Sequence, residues 1–211
     1  MKRWKEFRFE YLRTAAVFLL LCAMACTLIW ALPAQVHADY TEPYMKRMEE
    51  LGLLQGDADG DLRPGDPITR AEFVTMLVRA TPGGSQIGQA AISPYPDVPY
   101  THWAAPYVEA AVAAGYVNGY LDGTFHPDEN ITLAMGVTMA VRLLGYQDSD
   151  FSGAWPAGQM TLYRNLDLDE GITIGQNDTM TRQDAMYLFY NLLTAKTKTG
   201  QTYLLTLGHT L

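Results

Sequence analysis

The sequence predicts an all-α fold in which three helix-loop-helix repeats pack around a shared helical core. Two observations carry this prediction. A segment of the chain recurs at an offset of 63 residues, and each copy joins an apolar helical stripe to a loop of turn-forming residues. A single pair of helices cannot bury such a stripe, so the three copies are expected to bury theirs against one another.

The repeats are clearest in the loops. Residues 56–69 match residues 119–132, and both segments carry an Asp-Gly turn and a proline ahead of Ile-Thr. A third copy resumes at residues 171–175 and continues at Thr181-Arg182, with a loop that is seven residues shorter. The Asp-Gly-x-Phe-x-Pro turn is therefore absent from copy three.

Each copy is predicted to form two helices. In copy one, Tyr44, Met48 and Leu51 follow Pro43 at helical spacing, and Gly52 suits a left-handed helix end. The second helix starts at Thr69 as N-cap, with Glu72 as its capping-box partner. Its apolar stripe and the two equivalent stripes are Phe73, Met76, Leu77 and Ala80; Val137, Ala140, Val141 and Leu144; and Ala185, Leu188, Phe189 and Leu192.

Residues 1–38 predict an export signal. Five basic residues precede an uncharged apolar stretch at residues 15–32, and Val36-His37-Ala38 offers small residues to a signal peptidase. We therefore expect secretion to the cell surface. An uncleaved membrane anchor is an alternative, because about 18 apolar residues lie near the lower limit for crossing a bilayer. A lipid-modified Cys26 is a further one.

Charge and cysteine content exclude several classes of partner and site. The signal contains five basic and two acidic residues. The rest of the chain therefore has 10 Lys and Arg against 21 Asp and Glu, a net charge of about −11. A nucleic acid needs its phosphates neutralised, so it is not an expected partner. Cys22 and Cys26 both lie in the signal, so no disulfide or thiolate metal site is expected beyond it.

No metal site, cofactor or catalytic residue is predicted. Asp57, Asp59 and Asp61 suggest a calcium loop, but Gly60 stands at its fourth rather than its sixth place, and Ile68 stands where a glutamate belongs. The chain lacks Gly-x-Ser-x-Gly, His-Glu-x-x-His and a phosphate-binding loop. An enzyme is therefore not expected.

The ordered motifs resemble the S-layer homology family. Copy one supplies Ile68-Thr69-Arg70-Ala71-Glu72-Phe73. Copy two supplies Tyr95-Pro96-Asp97-Val98, His102-Trp103, Gly115 to Tyr120, and Asp122-Gly123-Thr124-Phe125-His126-Pro127. The resemblance extends over essentially the whole chain after the signal.

This resemblance implies a pseudo-threefold, three-pronged spindle whose grooves bind pyruvylated secondary cell-wall polysaccharide. Such binding would anchor an exported protein non-covalently to the bacterial cell wall. The family's groove joins the arginine of one repeat to the aspartate and tryptophan of the next, so Arg70, Asp97 and Trp103 are expected to meet. The full set of implied ligand-binding residues is Arg70, Asp97, Trp103, Gly119, Thr69, Glu72 and Arg182.

The chemistry of these residues suits an acidic glycan. The guanidinium of Arg70 matches a carboxylate, Asp97 can accept from sugar hydroxyls, and Trp103 offers a face for a pyranose ring. A helix N-terminus at Thr69 would add free backbone donors. Structural roles stay open for each: an ion pair for Arg70, a helix cap for Glu72, a turn for Asp97 and core packing for Trp103.

Copies two and three depart from the pattern. Copy two has Thr132-Leu133-Ala134-Met135 and so lacks the arginine and the glutamate, while copy one lacks the Asp-Val and His-Trp motifs that Arg182 would need. A single complete groove is therefore expected. An alternative is an envelope scaffold that binds other envelope proteins and has lost its glycan affinity.

The predicted organisation divides the chain into six segments. The C-terminal one is expected to start a strand or to lead to a further segment. The segments are 1–38, export signal; 39–81, repeat 1; 82–94, linker; 95–147, repeat 2; 148–196, degenerate repeat 3; and 197–211, C-terminal tail.

Overall fold

The computed structural model describes residues 41–53, 56 and 60–208. The predicted export signal lies outside the described residues, as do Asp57 and Asp59 of the loop weighed for calcium. Within the described residues, no helix is long and apolar enough to cross a membrane.

Helices dominate the described part of the chain, and β-structure occurs there only as isolated bridges. The predicted all-α class is confirmed. The helices are α1 (Thr41–Glu50), α2 (Arg70–Arg79), α3 (Ala105–Ala113), α4 (Leu133–Leu143), α5 (Ala157–Asn165), α6 (Arg182–Thr194) and α7 (Tyr203–Thr206), with 3₁₀ turns at Gly84–Gln86 and Asp148–Asp150.

The helices of successive copies pack in cyclic order. The second helix of each copy packs against the first helix of the next: α2 on α3, α4 on α5, and α6 on α1. The second helices also contact one another, α4 with both α2 and α6. The predicted apolar stripes lie on these three helices and are buried. The three-pronged outline remains a prediction.

A ring of backbone hydrogen bonds joins the three copies just before their second helices. Ile68 donates to Met180 at 3.0 Å, Met180 donates to Ile131 at 2.9 Å, and Ile131 donates to Ile68 at 3.2 Å. These three residues precede the helix N-caps in their respective copies, and all are buried. Because each amide finds its partner in another copy, one copy alone would leave these groups unpaired.

The copies contribute side chains of different size to the centre of the bundle. Phe73 is fully buried, and its ring lies 5.2 Å from the ring of Phe189. The residue of copy two at the position of Phe73 is Gly136, where an added Cβ would lie 2.5 Å from the Sδ of Met180 and 3.4 Å from the Phe73 ring. One large side chain therefore fills the space that three equal ones could not share.

The C-terminal segment folds onto the repeats. A bridge between Lys196 and Thr202 closes a turn, and short helix α7 follows in place of the expected strand. The hydroxyl of buried Tyr203 donates to the carbonyl of Ala80 at 2.6 Å, and the amide of Lys198 donates to Leu144 at 2.8 Å. The segment thus contacts the ends of the second helices of copies one and two.

Candidate functional site

Thr69 and Glu72 form the predicted capping box at the start of α2. The Glu72 carboxylate accepts from the backbone amide of Thr69 at 2.9 Å, and the Thr69 hydroxyl accepts from the amide of Glu72 at 3.3 Å. The next two amides, of Arg70 and Ala71, donate to carbonyls of copy two at 2.8 and 2.9 Å. The expectation of free donors at this N-terminus is therefore wrong, because the neighbouring copy uses them.

Arg70 is buried under copy two. Its side chain is 7% exposed, and Nη2 donates to the carbonyl of Asn118 at 2.6 Å. The guanidinium carbon lies 4.6 Å from the centre of the Phe125 ring and 5.1 Å from that of Tyr120. Nε has no hydrogen-bond partner among the described residues. Burial lowers the pKa of Arg70 from its usual value, since a desolvated charge is disfavoured.

Arg70 opens onto a cavity of about 290 Å³ between the copies. A second guanidinium, that of Arg142, lines the same cavity, and it donates to both carboxylate oxygens of Asp148 at 2.9 Å. The lining residues come from all three copies. They are Arg70, Val117, Asn118, Gly119, Met135, Thr138, Met139, Arg142 and Trp155.

Gly119 lies in this lining for a steric reason. A Cβ added there would stand 2.4 Å from the Tyr95 ring and 2.9 Å from the carbonyl of Thr124. The Tyr95 ring in turn stacks on Phe125, with ring centroids 5.4 Å apart. Glycine at this position therefore leaves room for the Tyr95 ring to pack against Phe125, the residue that contacts Arg70.

Asp97 acts on the surroundings of Arg70 through the turn that carries Phe125. Its carboxylate accepts from the amides of Phe125 at 2.9 Å and of His126 at 2.7 Å. These bonds fix the turn that carries Phe125 under Arg70. Asp97 does not line the cavity, so the structure gives it a structural role through Phe125.

Arg182 occupies the position in copy three that Arg70 occupies in copy one, but its surroundings differ. Its Nη1 donates to Glu72 at 2.9 Å, and its Nε donates to the carbonyl of Leu62 at 2.8 Å. In the Arg70 cavity, the position of Glu72 is taken by Met135, an apolar residue. Arg182 is therefore neutralised within the protein, whereas Arg70 faces a cavity with no carboxylate in its lining.

Comparison with known proteins identifies the repeats. The model of the S-layer homology domain matches residues 34–74 and 94–134. The chain carries S-layer homology repeats. The matched residues fall mainly in copies one and two and end early in the second helix of each, and copy three is supported by its position in the hydrogen-bonded ring.

Three relatives illustrate the setting of these repeats. The chain is 37% identical over 154 residues to a "Middle cell wall protein" of Brevibacillus brevis, covering 72% of this chain and 14% of that protein. It is 39% identical over 133 residues to a "Surface layer protein" of Brevibacillus choshinensis, with shares of 62% and 12%. It is 36% identical over 102 residues to a "Cellulosome-anchoring protein" of Acetivibrio thermocellus, with shares of 47% and 23%. The chain thus spans less than a quarter of each relative.

The tryptophan of the cavity is Trp155, which the sequence reasoning missed. Trp155 is 57% exposed, and its Nε1 donates to the Thr138 hydroxyl at 2.9 Å. It stands two residues before α5, as Trp103 stands two residues before α3 in the second S-layer homology repeat. The two helices have the same length, nine residues. Trp155 is therefore the structural counterpart of Trp103 in copy three.

The end of α5 explains why the sequence did not reveal this pairing. Asp167, with φ +53°, takes the left-handed position that Gly115 takes after α3. The amide after each left-handed residue donates an equivalent bond back to its helix, Leu168 to the carbonyl of Tyr163 and Tyr116 to the carbonyl of Ala111. Aligning copy three on Gly171 shifts the register by four residues. Counting forward from Trp155 by the length of the equivalent helix in copy two would have given the correct register.

Trp103 lies in a different pocket. It is 55% exposed, stacks on His102 with ring centroids 5.7 Å apart, and lines a pocket of about 400 Å³ with Tyr100 and residues 88–90. The expectation that Arg70, Asp97 and Trp103 meet in one crevice is therefore not met. The S-layer homology cavity at Arg70 instead joins copy one to Gly119 of copy two and Trp155 of copy three.

Proposed function

We propose that this chain anchors an exported protein non-covalently to the bacterial cell wall by binding an acidic secondary cell-wall polysaccharide at the Arg70 cavity. Anchoring at the wall agrees with the S-layer homology repeats and with the cell-wall and surface-layer relatives. The polysaccharide and the cavity that holds it are the proposed part.

The observation that carries the proposal is that the Arg70 guanidinium is buried without a carboxylate partner in its cavity. It is buried, it keeps an N–H without a partner, and its cavity contributes a second guanidinium but no carboxylate. An unpaired buried charge is costly, so an anionic group in the cavity would stabilise Arg70. A carboxylate suits this position because its planar oxygens match the guanidinium fork.

Trp155 adds the second requirement of a glycan site. Its ring is more than half exposed beside the cavity and is fixed through its bond to Thr138. An exposed aromatic face of this kind stacks on the apolar face of a pyranose. A pyruvylated sugar would present both groups at once, with its ketal carboxylate toward Arg70 and its ring on Trp155.

The proposed role is binding without catalysis. Among the described residues that line the cavity, none is an aspartate, glutamate, histidine or cysteine. Glycoside cleavage uses a pair of carboxylates on either side of the bond. The lining therefore supplies recognition but no general acid or base.

A sedimentation assay with cell-wall sacculi tests the proposal. The protein should co-sediment with sacculi that carry the polysaccharide and stay in solution with sacculi from which it has been removed chemically. Arg70→Ala should weaken the interaction at least about tenfold, which corresponds to ~1.4 kcal/mol. Arg164→Ala, which removes an exposed arginine of α5, controls for loss of charge.

The alternative of a protein-binding scaffold gives the opposite result. Retention would be the same with and without the polysaccharide, and Arg70→Ala would leave it unchanged. Either observation would overturn the glycan proposal.

A further inference from the structure

A larger pocket, of about 560 Å³, lies along α5, and its lining shares no residue with that of the Arg70 cavity. It is formed by the outer face of α5, by residues 146–152 and by Lys198 of the C-terminal segment. Ala157, which lines this pocket, follows Trp155 by two residues, a separation of about 7 Å at most. We call it the α5 pocket.

The lining of the α5 pocket carries no net charge. Lys198 Nζ lies 2.6 Å from Asp150 Oδ1, and the other oxygen of Asp150 accepts from the amide of Gln147 at 2.8 Å. These two groups neutralise each other and are the only charged residues in the lining. A charged ligand would have to disrupt this pair, whereas the hydroxyls of a neutral ligand can bond to it from outside.

The walls of the pocket combine aromatic and aliphatic surface. The rings of Tyr146 and Phe151 lie with centroids 6.4 Å apart, and Leu162 continues the apolar surface along α5. Phe151 packs directly on Gly158, where an added Cβ would lie 2.8 Å from the Phe151 Cβ. Glycine at this point therefore brings the Phe151 ring close to the helix and shapes the wall.

The rim carries neutral polar groups. Asn165 offers an amide, and Thr161 donates its hydroxyl proton to Ala157 at 2.9 Å, which leaves the oxygen free to accept. Ser152 adds a second hydroxyl. Apolar walls with a few neutral polar groups and a volume in the range of roughly 300–1,000 Å³ are typical of small-ligand sites.

We propose that the α5 pocket binds a neutral N-acetylhexosamine unit of a wall glycan. The sugar face stacks on the aromatic wall, and its hydroxyls bond to the Asp150–Lys198 pair. The acetamido group has an apolar methyl for Leu162 and an amide for Asn165, so it matches the pocket better than a plain hydroxyl does. This site is distinct from the Arg70 cavity and takes a ligand of different charge.

Titration of ¹⁵N-labelled protein with the trisaccharide of N-acetylglucosamine tests this inference by NMR. The amide resonances of residues 146–165, other than Pro156, and of residue 198 should shift on addition of the sugar. Asn165→Ala should weaken the affinity about fivefold, the loss expected for one hydrogen bond. Arg70→Ala should leave the affinity unchanged, which separates this site from the proposed anchoring function.

Three results would overturn the inference. No shift at millimolar trisaccharide would exclude the site, and equal binding of maltotriose would exclude recognition of the acetamido group. Shifts confined to the Arg70 cavity would place the sugar elsewhere. Because Asn165 is an exposed residue at the end of α5, its alanine variant should keep the wild-type melting temperature, which checks that the fold is intact.

Discussion

Arg182 in copy three donates a hydrogen bond of 2.9 Å to Glu72 in copy one, across 110 positions of sequence. The same carboxylate closes the capping box of α2 through Thr69. One side chain therefore both begins a helix and holds the last repeat against the first. Arg182 is 9% exposed, so Glu72 lies beside a guanidinium that is largely removed from water.

Glu72→Ala should destabilise the fold more than an ordinary surface substitution. It removes the glutamate half of the capping box of α2 and leaves a buried guanidinium with one fewer partner, a loss of about 2–3 kcal/mol. For a chain of this size the melting temperature should fall by about 5–10 °C. Glu49→Ala, an exposed glutamate in α1, is the matched control and should change the melting temperature little. Equal melting of the two variants would show that the Arg182 contact contributes no stability.

Met135→Glu should turn the Arg70 cavity into a copy of the Arg182 environment. Met135 stands where copy one has Glu72, and its amide already donates to the N-cap hydroxyl of Thr132 at 3.4 Å. A glutamate there would complete a capping box and place a carboxylate beside Arg70. Binding to polysaccharide-bearing sacculi should fall at least about tenfold, or ~1.4 kcal/mol.

The same variant should not lose stability, because the new cap supports α4. A melting temperature equal to or above that of the wild type is expected. Met135→Gln, which can form the cap without the charge, is the control and should keep more of the binding. If Met135→Glu binds sacculi as the wild type does, Arg70 is not the anion site.

The sequence revealed the elements better than it revealed the site. Thr69 and Glu72 predicted the start of α2, and the stripe that begins at Phe73 predicted its buried face, because both depend on neighbours within a few positions. The partners of Arg70 depend instead on the cyclic order in which the copies close. That order is set by backbone bonds such as that of Ile68 to Met180, which leave no mark on local spacing.

Copy three shows the physical limit most clearly. Asp167 ends α5 with the left-handed backbone that glycine usually provides, since aspartate also tolerates that conformation. The expected glycine signal appears four residues later, at Gly171, so the alignment placed Trp155 out of register. A substitution at one helix end thus hid the aromatic residue of the cavity.

Asp148→Asn should strengthen the attraction of the cavity for anions. Asp148 neutralises Arg142 through two bonds of 2.9 Å, yet its side chain is 65% exposed. Removing its charge leaves two uncompensated guanidiniums in the lining. The fold should lose about 1–2 kcal/mol, because Arg142 is only 9% exposed and loses its charged partner, although the asparagine oxygen can still accept a hydrogen bond.

Sedimentation with polysaccharide-bearing sacculi at low and high salt measures this effect. The Asp148→Asn variant should bind more tightly than the wild type at low salt, and the difference should shrink as salt screens the added charge. Asp169→Asn, an exposed aspartate beyond α5, is the control for a general change in charge. A variant that binds like this control would mean that Arg142 does not act on the ligand.

Trp155→Ala and Trp103→Ala should differ although the two side chains are similarly exposed, at 57% and 55%. Trp155 lines the Arg70 cavity and Trp103 lines another pocket, so only Trp155→Ala removes the proposed stacking face. Its affinity for sacculi should fall about fivefold, or ~1 kcal/mol, the scale of an aromatic contact. Trp103→Ala should stay within about twofold of the wild type, since a surface substitution outside the site costs only a few tenths of a kcal/mol. If Trp103→Ala lost more affinity than Trp155→Ala, the glycan would contact Trp103, as the sequence implied. Melting curves of both variants should stay close to the wild type, because neither indole is buried, and so the comparison reports on binding.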